Sequence, residues 1–451
     1  MILEKTYSKE WFESKSHELA KGDAKLLEKA VMALTLLEHL VLNKVDFIFK
    51  GGTALILLLP EPRRFSIDID IIEKGKPKDF ATTFDNIVKN SPFIRWKSDN
   101  ERKTVPKAPV EHYKFFYKSV VDASFGEEPI LLDILYEKHS YHELKHMPIQ
   151  NKWLVTGSPV ISAEVPSIES ILGDKLTAFA PNTTGILYTK DKPAEIIKQL
   201  YDIGHLFDEA KNIEAVTKTF HAIAKNEIGY RELKVNSDDV LQDLFDTCVI
   251  ISERDEKSKE FLHLQTGIKN LFNFIFIEKF RIESAIVCAS KAAYISVMVR
   301  NNVKNAPERF NGPEEIKDWS ITDKRYQKFD AFKRINPEAF FYWFKAIELS
   351  TKAVTPIVIS ASENDKGHDN LTTLTFIING KEVVIDNVNI HEPLRAAVER
   401  ALAKSGSSGR PIGDWIVRWN NNNLDISKKV AEFRFTKDAK IFLDLKSGEG
   451  G

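Results

Sequence analysis

The chain has 451 residues, 43% of them hydrophobic and 10% aromatic, which is enough for about two to four ordinary packed domains. Its 64 Lys and Arg residues nearly balance its 65 Asp and Glu residues, which excludes a strong overall attraction to nucleic acid or to membranes. Cys248 and Cys288 are not spaced like the cysteines of a metal-binding or redox motif, which argues against a disulfide framework or a zinc site.

The first part of the chain alternates between helical and strand patterns. Residues 22–43 carry apolar side chains at helical spacing, and "VDFIFK" (45–50) predicts a strand that leads into two glycines. Alternating segments at 112–121 and 129–137 predict further strands. From about residue 165 onward the apolar spacing becomes helical. These patterns indicate an α+β fold, in which a small mixed sheet between helices is followed by a helical bundle.

A separate unit is predicted at the C-terminal end. Between residues 350 and 371 the composition becomes polar and small, which is typical of a linker. "LTTLTFIING" and "KEVVIDNVNI" then predict a hairpin around Asn379 and Gly380. "HEPLRAAVERALAKSG" predicts a helix, and "DWIVRWN" and "KIFLDLK" predict two more strands. The order strand, strand, helix, strand, strand indicates a compact unit.

No targeting or membrane segment is expected. The N-terminal "MILEKTYSKEWFESK" carries charges where a signal peptide needs an apolar run, and no later window provides about twenty consecutive apolar residues. We therefore expect a cytoplasmic protein with no membrane partner.

The stretch "FKGGTALILLLPEPRRFSIDID" (49–70) contains the clearest functional signal. On a strand, Arg64, Ser66, Asp68 and Asp70 would share one face. Two carboxylates about 6 Å apart repel each other by roughly 3 kcal/mol at an effective dielectric constant near 20. A divalent cation between Asp68 and Asp70 removes this cost. Mg²⁺ suits the position, because it binds a few carboxylates together with phosphate oxygens and water.

Neighbouring residues extend this hypothesis. Gly51, Gly52 and Thr53 precede an apolar helix, so that bare backbone N–H groups at a helix N-terminus could face a phosphate. Asp133 interrupts the apolar run "PILLDILY", where an unpaired charge is costly. The alternative is that Arg64 neutralises a solvated strand face, the glycines form a turn, and Asp133 is an edge residue in a salt bridge.

"FKGGTAL" followed by "RRFSIDID" resembles the nucleotidyltransferase motif of the AbiEii/AbiGii toxin family, in the polymerase-beta-like superfamily. The resemblance implies that the helix at Gly51 and Gly52 holds the triphosphate and that Asp68 and Asp70 bind the catalytic Mg²⁺.

The resemblance continues into the bundle and spans residues 25–300. "ILGDKLTAFA" resembles the family's Lys-Leu helix, which implies that Lys175 handles a phosphate or a base. "IIKQLYDIGHL" resembles its basic-acidic helix and matches at Lys198 and Asp202. The chain departs from the family at Gln199, where an acidic residue is usual.

The resemblance implies transfer of a nucleoside monophosphate from a nucleoside triphosphate to a macromolecular acceptor, with RNA such as tRNA favoured. Asp133 would hold a second metal or accept the proton, and Ser66 and Lys175 would orient phosphates. An antitoxin partner is implied. Two alternatives remain open. One is a small-molecule nucleotidyltransferase, and the other, suggested by Gln199, is a catalytically decayed scaffold that acts as a modifier or interaction protein.

The C-terminal unit ends "KIFLDLKSGEGG", and its last residues are Gly450 and Gly451. A glycine tail can enter a narrow active site, although it can equally be a frayed end. The unit resembles bacterial ubiquitin-like (beta-grasp) modifiers that end in a diglycine. This resemblance implies adenylation of the Gly451 carboxylate, conjugating partners and a deconjugating protease.

The predicted domain organisation follows from these patterns. The boundaries are 1–210 for the nucleotidyltransferase core with its first catalytic helices, 211–350 for the helical bundle, 351–371 for the linker, and 372–451 for the ubiquitin-like domain with its diglycine tail.

Overall fold

The structure, a computed structural model, forms two compact units, Met1–Leu349 and Ser350–Gly451. The residues that it describes are 1–19, 22–73, 79–100, 108–122, 124, 126–352, 371–378, 381–407, 412–419, 422–433, 435 and 439–445. The predicted linker therefore lies largely outside the described residues, and the diglycine tail lies wholly outside them.

The first unit contains both helices and strands. Its elements are, in chain order, α1 (Lys9–His17), α2 (Ala24–Leu42), β1 (Phe47–Lys50), α3 (Gly51–Leu58), β2 (Ile69–Glu73), α4 (Ala81–Lys89), β3 (Phe93–Ser98), β4 (Val110–Lys118), β5 (Glu127–Tyr136), β6 (Leu144–Pro148), β7 (Ser162–Pro166), α5 (Ile168–Ala178), α6 (Pro193–Glu209), α7 (Ile213–Tyr230), α8 (Ser237–Glu253), α9 (Lys259–Leu271), α10 (Ile282–Arg300), α11 (Phe332–Ile335) and α12 (Pro337–Lys352).

A mixed sheet of five strands has the order β1-β2-β5-β4-β3. Strands β2 and β5 are parallel, and the other neighbouring pairs are antiparallel. Along β5 the side chains alternate between buried and half-buried positions, so one face of this strand joins the core and the other remains accessible. Asp133 lies on the accessible face. The apolar run around Asp133 is therefore buried on one face only, and Asp133 does not lie on that face.

The helices from α5 onward form the bundle that the sequence predicts. Helix α10 is long and apolar enough to cross a membrane by length and composition, but 78% of its apolar window is buried inside the unit. Ala289, Ala292 and Ala293 are fully buried on it. It is therefore packed as a core helix, and because it contains Glu283 and Lys291 it is not a run of about twenty consecutive apolar residues.

The aspartate segment differs from the sequence prediction. Strand β2 begins only at Ile69, so Arg64, Ser66 and Asp68 precede it and do not share a strand face with Asp70. Arg64 is held instead by an isolated bridge to Ile275.

The second unit contains β8 (Leu371–Ile378), β9 (Lys381–Asn389), α13 (Leu394–Lys404), β10 (Trp415–Trp419), β11 (Asn422–Asn423), α14 (Val430–Phe433) and β12 (Lys440–Leu445). Its sheet has the order β11-β10-β12-β8-β9, with β12 and β8 parallel at the centre. The core is formed by one face of this sheet and the apolar side of α13, including Phe376, Val398 and Ile441. The predicted hairpin is present as β8 and β9, but its turn at Asn379 and Gly380 lies outside the described residues. The two units together confirm the predicted α+β class.

Candidate active site

The turn from β1 into α3 depends on two glycines. Gly51 has a φ of +79°, which favours glycine, and a Cβ at this position would lie 2.2 Å from Oδ2 of Asp70. A Cβ at Gly52 would lie 2.7 Å from Nη2 of Arg64 and 2.9 Å from Oγ of Ser66. The glycines therefore let the start of α3 approach the aspartate segment closely.

Thr53 connects this turn to the segment before β2. Its hydroxyl lies 2.5 Å from the carbonyl oxygen of Asp68 and 2.9 Å from Oγ of Ser66. Thr53 is buried, with 1% of its surface exposed, and its hydroxyl contacts the backbone of the aspartate segment. The predicted place of Thr53 beside the site is found, but its contacts are structural.

Three carboxylates meet at the edge of this turn. Asp70 and Asp133 are direct neighbours on the parallel strands β2 and β5, and Asp68 is exposed just before β2. Burial, together with the negative charges of Asp133 and Asp68, raises the pKa of Asp70 to about 7 against the opposing effect of Lys50 and Lys175. The protein thus concentrates negative charge where the sequence predicts a cation.

The opposite wall of the site is a buried ionic network. Arg64 donates from Nε and Nη2 to the two carboxylate oxygens of Asp202, each at 2.7 Å. Lys175 lies 2.9 Å from Oδ2 of Asp202 and donates to Oε1 of Gln199 at 2.8 Å. Burial favours the neutral form of Asp202, but Arg64 and Lys175 outweigh it and lower the pKa of Asp202 to about 2.

This network changes the interpretation of two residues. Arg64 does not neutralise a solvated strand face, because it is only 7% exposed and is paired with Asp202. Gln199 keeps a contact with Lys175 through its amide oxygen, so the departure from the family motif retains the acceptor and removes only its charge.

A cavity of about 150 Å³ joins the two walls. It is lined by the predicted site residues Gly51, Gly52, Ser66, Asp68, Asp70, Lys175 and Lys198 together with Arg64, Phe65, Ile67, Glu195, Gln199 and Phe274. Lys198 donates to Oε1 of Glu195 at 2.7 Å, and its Nζ lies 4.4 Å from the centre of the Phe274 ring. Asp133 and Asp202 are not among the residues that line it. The fold thus brings together residues that are widely separated along the chain.

The donor set suits Mg²⁺, although it is incomplete as a protein-only site. Among the described residues no group of three or more His, Cys, Asp or Glu side chains is placed to hold a metal ion. Mg²⁺ is usually held by one or two carboxylates together with substrate phosphates and water, which is what Asp68 and Asp70 beside an open cavity can offer. The residues present therefore fit a metal that arrives with a phosphate ligand.

Sequence reasoning missed three residues at the site. Arg64 was expected beside the aspartates on a strand face and not in a buried pair with Asp202, and no role was predicted for Lys50 or His112. Lys50 faces Asp70 across β1 and β2, and Nδ1 of His112 lies 2.7 Å from Oδ1 of Asp133. A strand register would have revealed both neighbours, but register cannot be read from one sequence when the strands are far apart in the chain.

The comparisons with known proteins indicate a class of protein that is consistent with this geometry. A family model described as "Nucleotidyl transferase AbiEii toxin, Type IV TA system" matches residues 35–263, about half of the chain. A second model, described as a protein of unknown function (DUF2604), matches residues 367–451. No curated protein matches the chain.

Two solved structures are similar to this chain. One is a candidate nucleotidyltransferase from H. pylori, with 16% identity and a TM-score of 0.35, covering 61% of this chain and 96% of that one. The other is an antigenic nucleotidyltransferase-like protein from Paracoccidioides brasiliensis, with 13% identity and a TM-score of 0.29, covering 48% of this chain and 97% of that one.

The fold, the cavity and the family match define a nucleotidyltransferase. More specifically, the chain belongs to the AbiEii family of nucleotidyl transferase toxins, an assignment that rests on the match to residues 35–263.

The close approach at Gly51 gives a first prediction. Gly51→Ala should destabilise the protein more than Gly126→Ala. Both positions have positive φ, which costs about 1 kcal/mol for alanine, but only the Cβ at Gly51 would meet Asp70. Urea unfolding of the two variants measures the difference. Equal losses of stability would show that Asp70 does not constrain this turn.

The buried network gives a second prediction. Asp202→Asn should cost about 3–5 kcal/mol of unfolding free energy at pH 7, because it leaves Arg64 buried without its counter-ion. Asp208→Asn, also on α6, is the control and should cost less, since its partner Lys291 keeps Glu338.

The pH dependence of this loss follows from the lowered pKa of Asp202. The stabilisation is fully present above the unfolded-state pKa of about 4 and is lost as the pH falls toward about 2. The stability difference between the wild type and Asp202→Asn should therefore be constant from neutral pH down to about 5 and shrink below about 4. A difference that already shrinks near neutral pH would contradict the assignment.

Proposed function

We propose that this chain is an Mg²⁺-dependent toxin that transfers a nucleoside monophosphate from a nucleoside triphosphate to a macromolecular acceptor, with RNA such as tRNA favoured. The observation that carries the proposal is the cavity that brings the Gly51–Gly52 turn, the Asp68 and Asp70 carboxylates and the Lys175 ammonium together. The family match to residues 35–263 supports the type of reaction.

The triphosphate would lie at the start of α3. Gly51 and Gly52 expose backbone N–H groups at a helix N-terminus, where an anion is favoured. Ser66 and Lys175 line the same cavity and would donate hydrogen bonds to phosphate oxygens. Lys198 lines it as well and adds a second ammonium, already balanced in part by Glu195.

Asp68 and Asp70 would hold Mg²⁺, which neutralises the charge that develops on the phosphate groups during transfer. Asp133 adjoins Asp70 in the sheet and would complete the metal set or accept the proton of the attacking hydroxyl. Asp202 would keep Arg64 and Lys175 in place along the opposite wall.

A larger cavity of about 730 Å³ supports a macromolecular acceptor. It shares Asp68 and Glu195 with the smaller cavity, so it opens directly onto the proposed metal site. Lys190, Lys192 and Arg231 line it together with the carboxylates of Asp68, Asp191 and Glu195. Its size and these three cations would accommodate part of a phosphate backbone beside the proposed metal site.

Two further expectations belong to this proposal. The type IV toxin family implies an antitoxin partner that restrains the activity. A cytoplasmic location fits a toxin that uses nucleoside triphosphates, and it fits two free cysteines that are both buried.

The proposal is tested by incubating the purified chain with each α-labelled nucleoside triphosphate, Mg²⁺, total RNA and lysate protein. We expect labelled RNA whose formation requires Mg²⁺. Asp68→Asn should reduce labelling more than about 100-fold, since even residues behind a metal ligand typically change affinity or activity by 10–100-fold. Asp318→Asn, an exposed aspartate outside both cavities, is the control and should leave labelling unchanged.

The possible outcomes separate the alternatives. Label on protein instead of RNA would contradict the RNA acceptor but keep the nucleotidyltransferase. Label only on a small molecule would favour the small-molecule alternative. No label with any nucleotide would favour the decayed scaffold.

We also propose that the C-terminal unit is a ubiquitin-like domain of the β-grasp type. Its support is the sheet order β11-β10-β12-β8-β9, with the first and last strands parallel at the centre and α13 following the first hairpin. Gly450 and Gly451, which lie outside the described residues, would form the tail that activating and conjugating enzymes use and that a deconjugating protease releases.

Deletion of Gly451 tests this role. In host cells, the full chain with an N-terminal tag should form adducts of higher mass that survive denaturation, and the chain without Gly451 should form none. Asp68→Asn is the control, because conjugation should not depend on nucleotide transfer. Adducts that persist without Gly451 would contradict conjugation through the tail.

A further inference from the structure

Four polar side chains form one row across the first sheet. Lys50 on β1 is the register partner of Asp70 on β2, which in turn is the partner of Asp133 on β5. Asp133 is also the partner of His112 on β4. Directly opposed residues on neighbouring strands point to the same face of a sheet. The two carboxylates are therefore flanked by an ammonium on one side and an imidazole on the other.

The imidazole holds its carboxylate directly. Nδ1 of His112 lies 2.7 Å from Oδ1 of Asp133, and the His112 side chain is only 6% exposed. An ionised carboxylate can only accept a hydrogen bond, so the contact is a hydrogen bond in the tautomer of His112 whose Nδ1 carries the proton. The backbone N–H of His112 donates to Oδ1 of Asn100 at 2.7 Å, which further fixes this position on β4. The oxygen of Asp133 that faces His112 is therefore held in one orientation.

Lys50 occupies the other end of the row. Its Nζ lies 3.7 Å from Oδ2 of Asp174, and that same oxygen accepts a hydrogen bond from the Tyr141 hydroxyl at 2.6 Å. Burial lowers the pKa of Lys50, but the carboxylates of Asp174 and Asp70 outweigh this effect and raise it. Lys50 is therefore a fixed positive charge beside Asp70.

We propose that Lys50 and His112 are positioning residues that hold Asp70 and Asp133 in place from the two ends of this row. The inference rests on the proposed metal site. Two adjacent carboxylates repel by roughly 3 kcal/mol when no cation lies between them, at an effective dielectric constant near 20. Lys50 offsets this repulsion beside Asp70, and His112 prevents Asp133 from turning away.

The Lys50 end is tested by thermal unfolding of the whole chain in EDTA and in saturating Mg²⁺. In Lys50→Met the metal-free carboxylates lose their compensating charge, so the rise in melting temperature caused by Mg²⁺ should be at least about twice that of the wild type. Lys50→Arg keeps the charge and should show the wild-type rise. If Lys50 had a merely structural role, Lys50→Met would lower the melting temperature by the same amount in EDTA and in Mg²⁺.

The His112 end is tested by Mn²⁺ binding, followed through the loss of the free-ion EPR signal. His112→Leu removes the donor and should weaken Mn²⁺ binding by about 10-fold or more, the range found for residues that orient metal ligands. His112→Asn can place an amide N–H near the position of Nδ1 and should restore most of the affinity. Equal affinity in the leucine variant and the wild type would overturn this half of the inference.

These experiments separate the inference from the proposed function. A wild-type chain that responds to neither Mg²⁺ nor Mn²⁺ would overturn the metal site and this inference together. A wild-type chain that responds, with Lys50→Met behaving identically, would overturn only the inference. If His112→Leu does not fold, the comparison of Lys50→Met with Lys50→Arg still decides the proposal.

Discussion

The active-site geometry depends on the buried pairing of Arg64 with Asp202. Arg64 precedes β2 and Asp202 lies in the middle of α6, so this bidentate contact joins the sheet-side segment to the helical bundle. Neither side chain is more than 7% exposed. A buried charge without its partner is strongly destabilising, so the pair can persist only while the two parts of the unit remain in contact. Lys175 on α5 shares the same carboxylate and adds a third element to the contact.

This pairing also explains why the aspartate segment is not a continuous strand. With its side chain turned toward Asp202, Arg64 cannot share a face with Asp70. The backbone N–H of Phe65 donates to the carbonyl oxygen of Phe274 at 2.9 Å, and the Phe65 ring packs on Trp153 and Phe276. The segment is thus held by the chain that follows α9, and Asp68 is left exposed where the two cavities meet.

The sequence correctly predicted the elements that depend on interactions between residues close together in the chain. The helix at α2, the strand–glycine–helix turn at Gly51 and the C-terminal hairpin all appear, because apolar period and glycine placement act within a few residues. The short edge strand β3 and the hairpin of β6 and β7 were missed, since their patterns are weak or mixed. The roles of Arg64 and His112 could not be predicted, because each depends on a partner far away in the chain.

The charges around the smaller cavity bear on whether Gln199 marks a decayed enzyme. On the side of the cavity formed by the helical bundle, the cations of Arg64 and Lys175 share the single carboxylate of Asp202. Gln199 contributes a neutral oxygen at a position where an acidic residue would have cancelled the remaining positive charge. On the sheet side, Asp68, Asp70 and Asp133 lie close together, and burial and the charges of Asp133 and Asp68 raise the pKa of Asp70 against the effect of Lys50 and Lys175. The cavity is therefore lined by excess positive charge on one side and by carboxylates on the other. Both walls are compensated at once by a ligand that carries a cation and phosphates together. The neutral Gln199 therefore leaves excess positive charge on the side of the cavity where we propose that phosphates bind, which is consistent with the proposed activity.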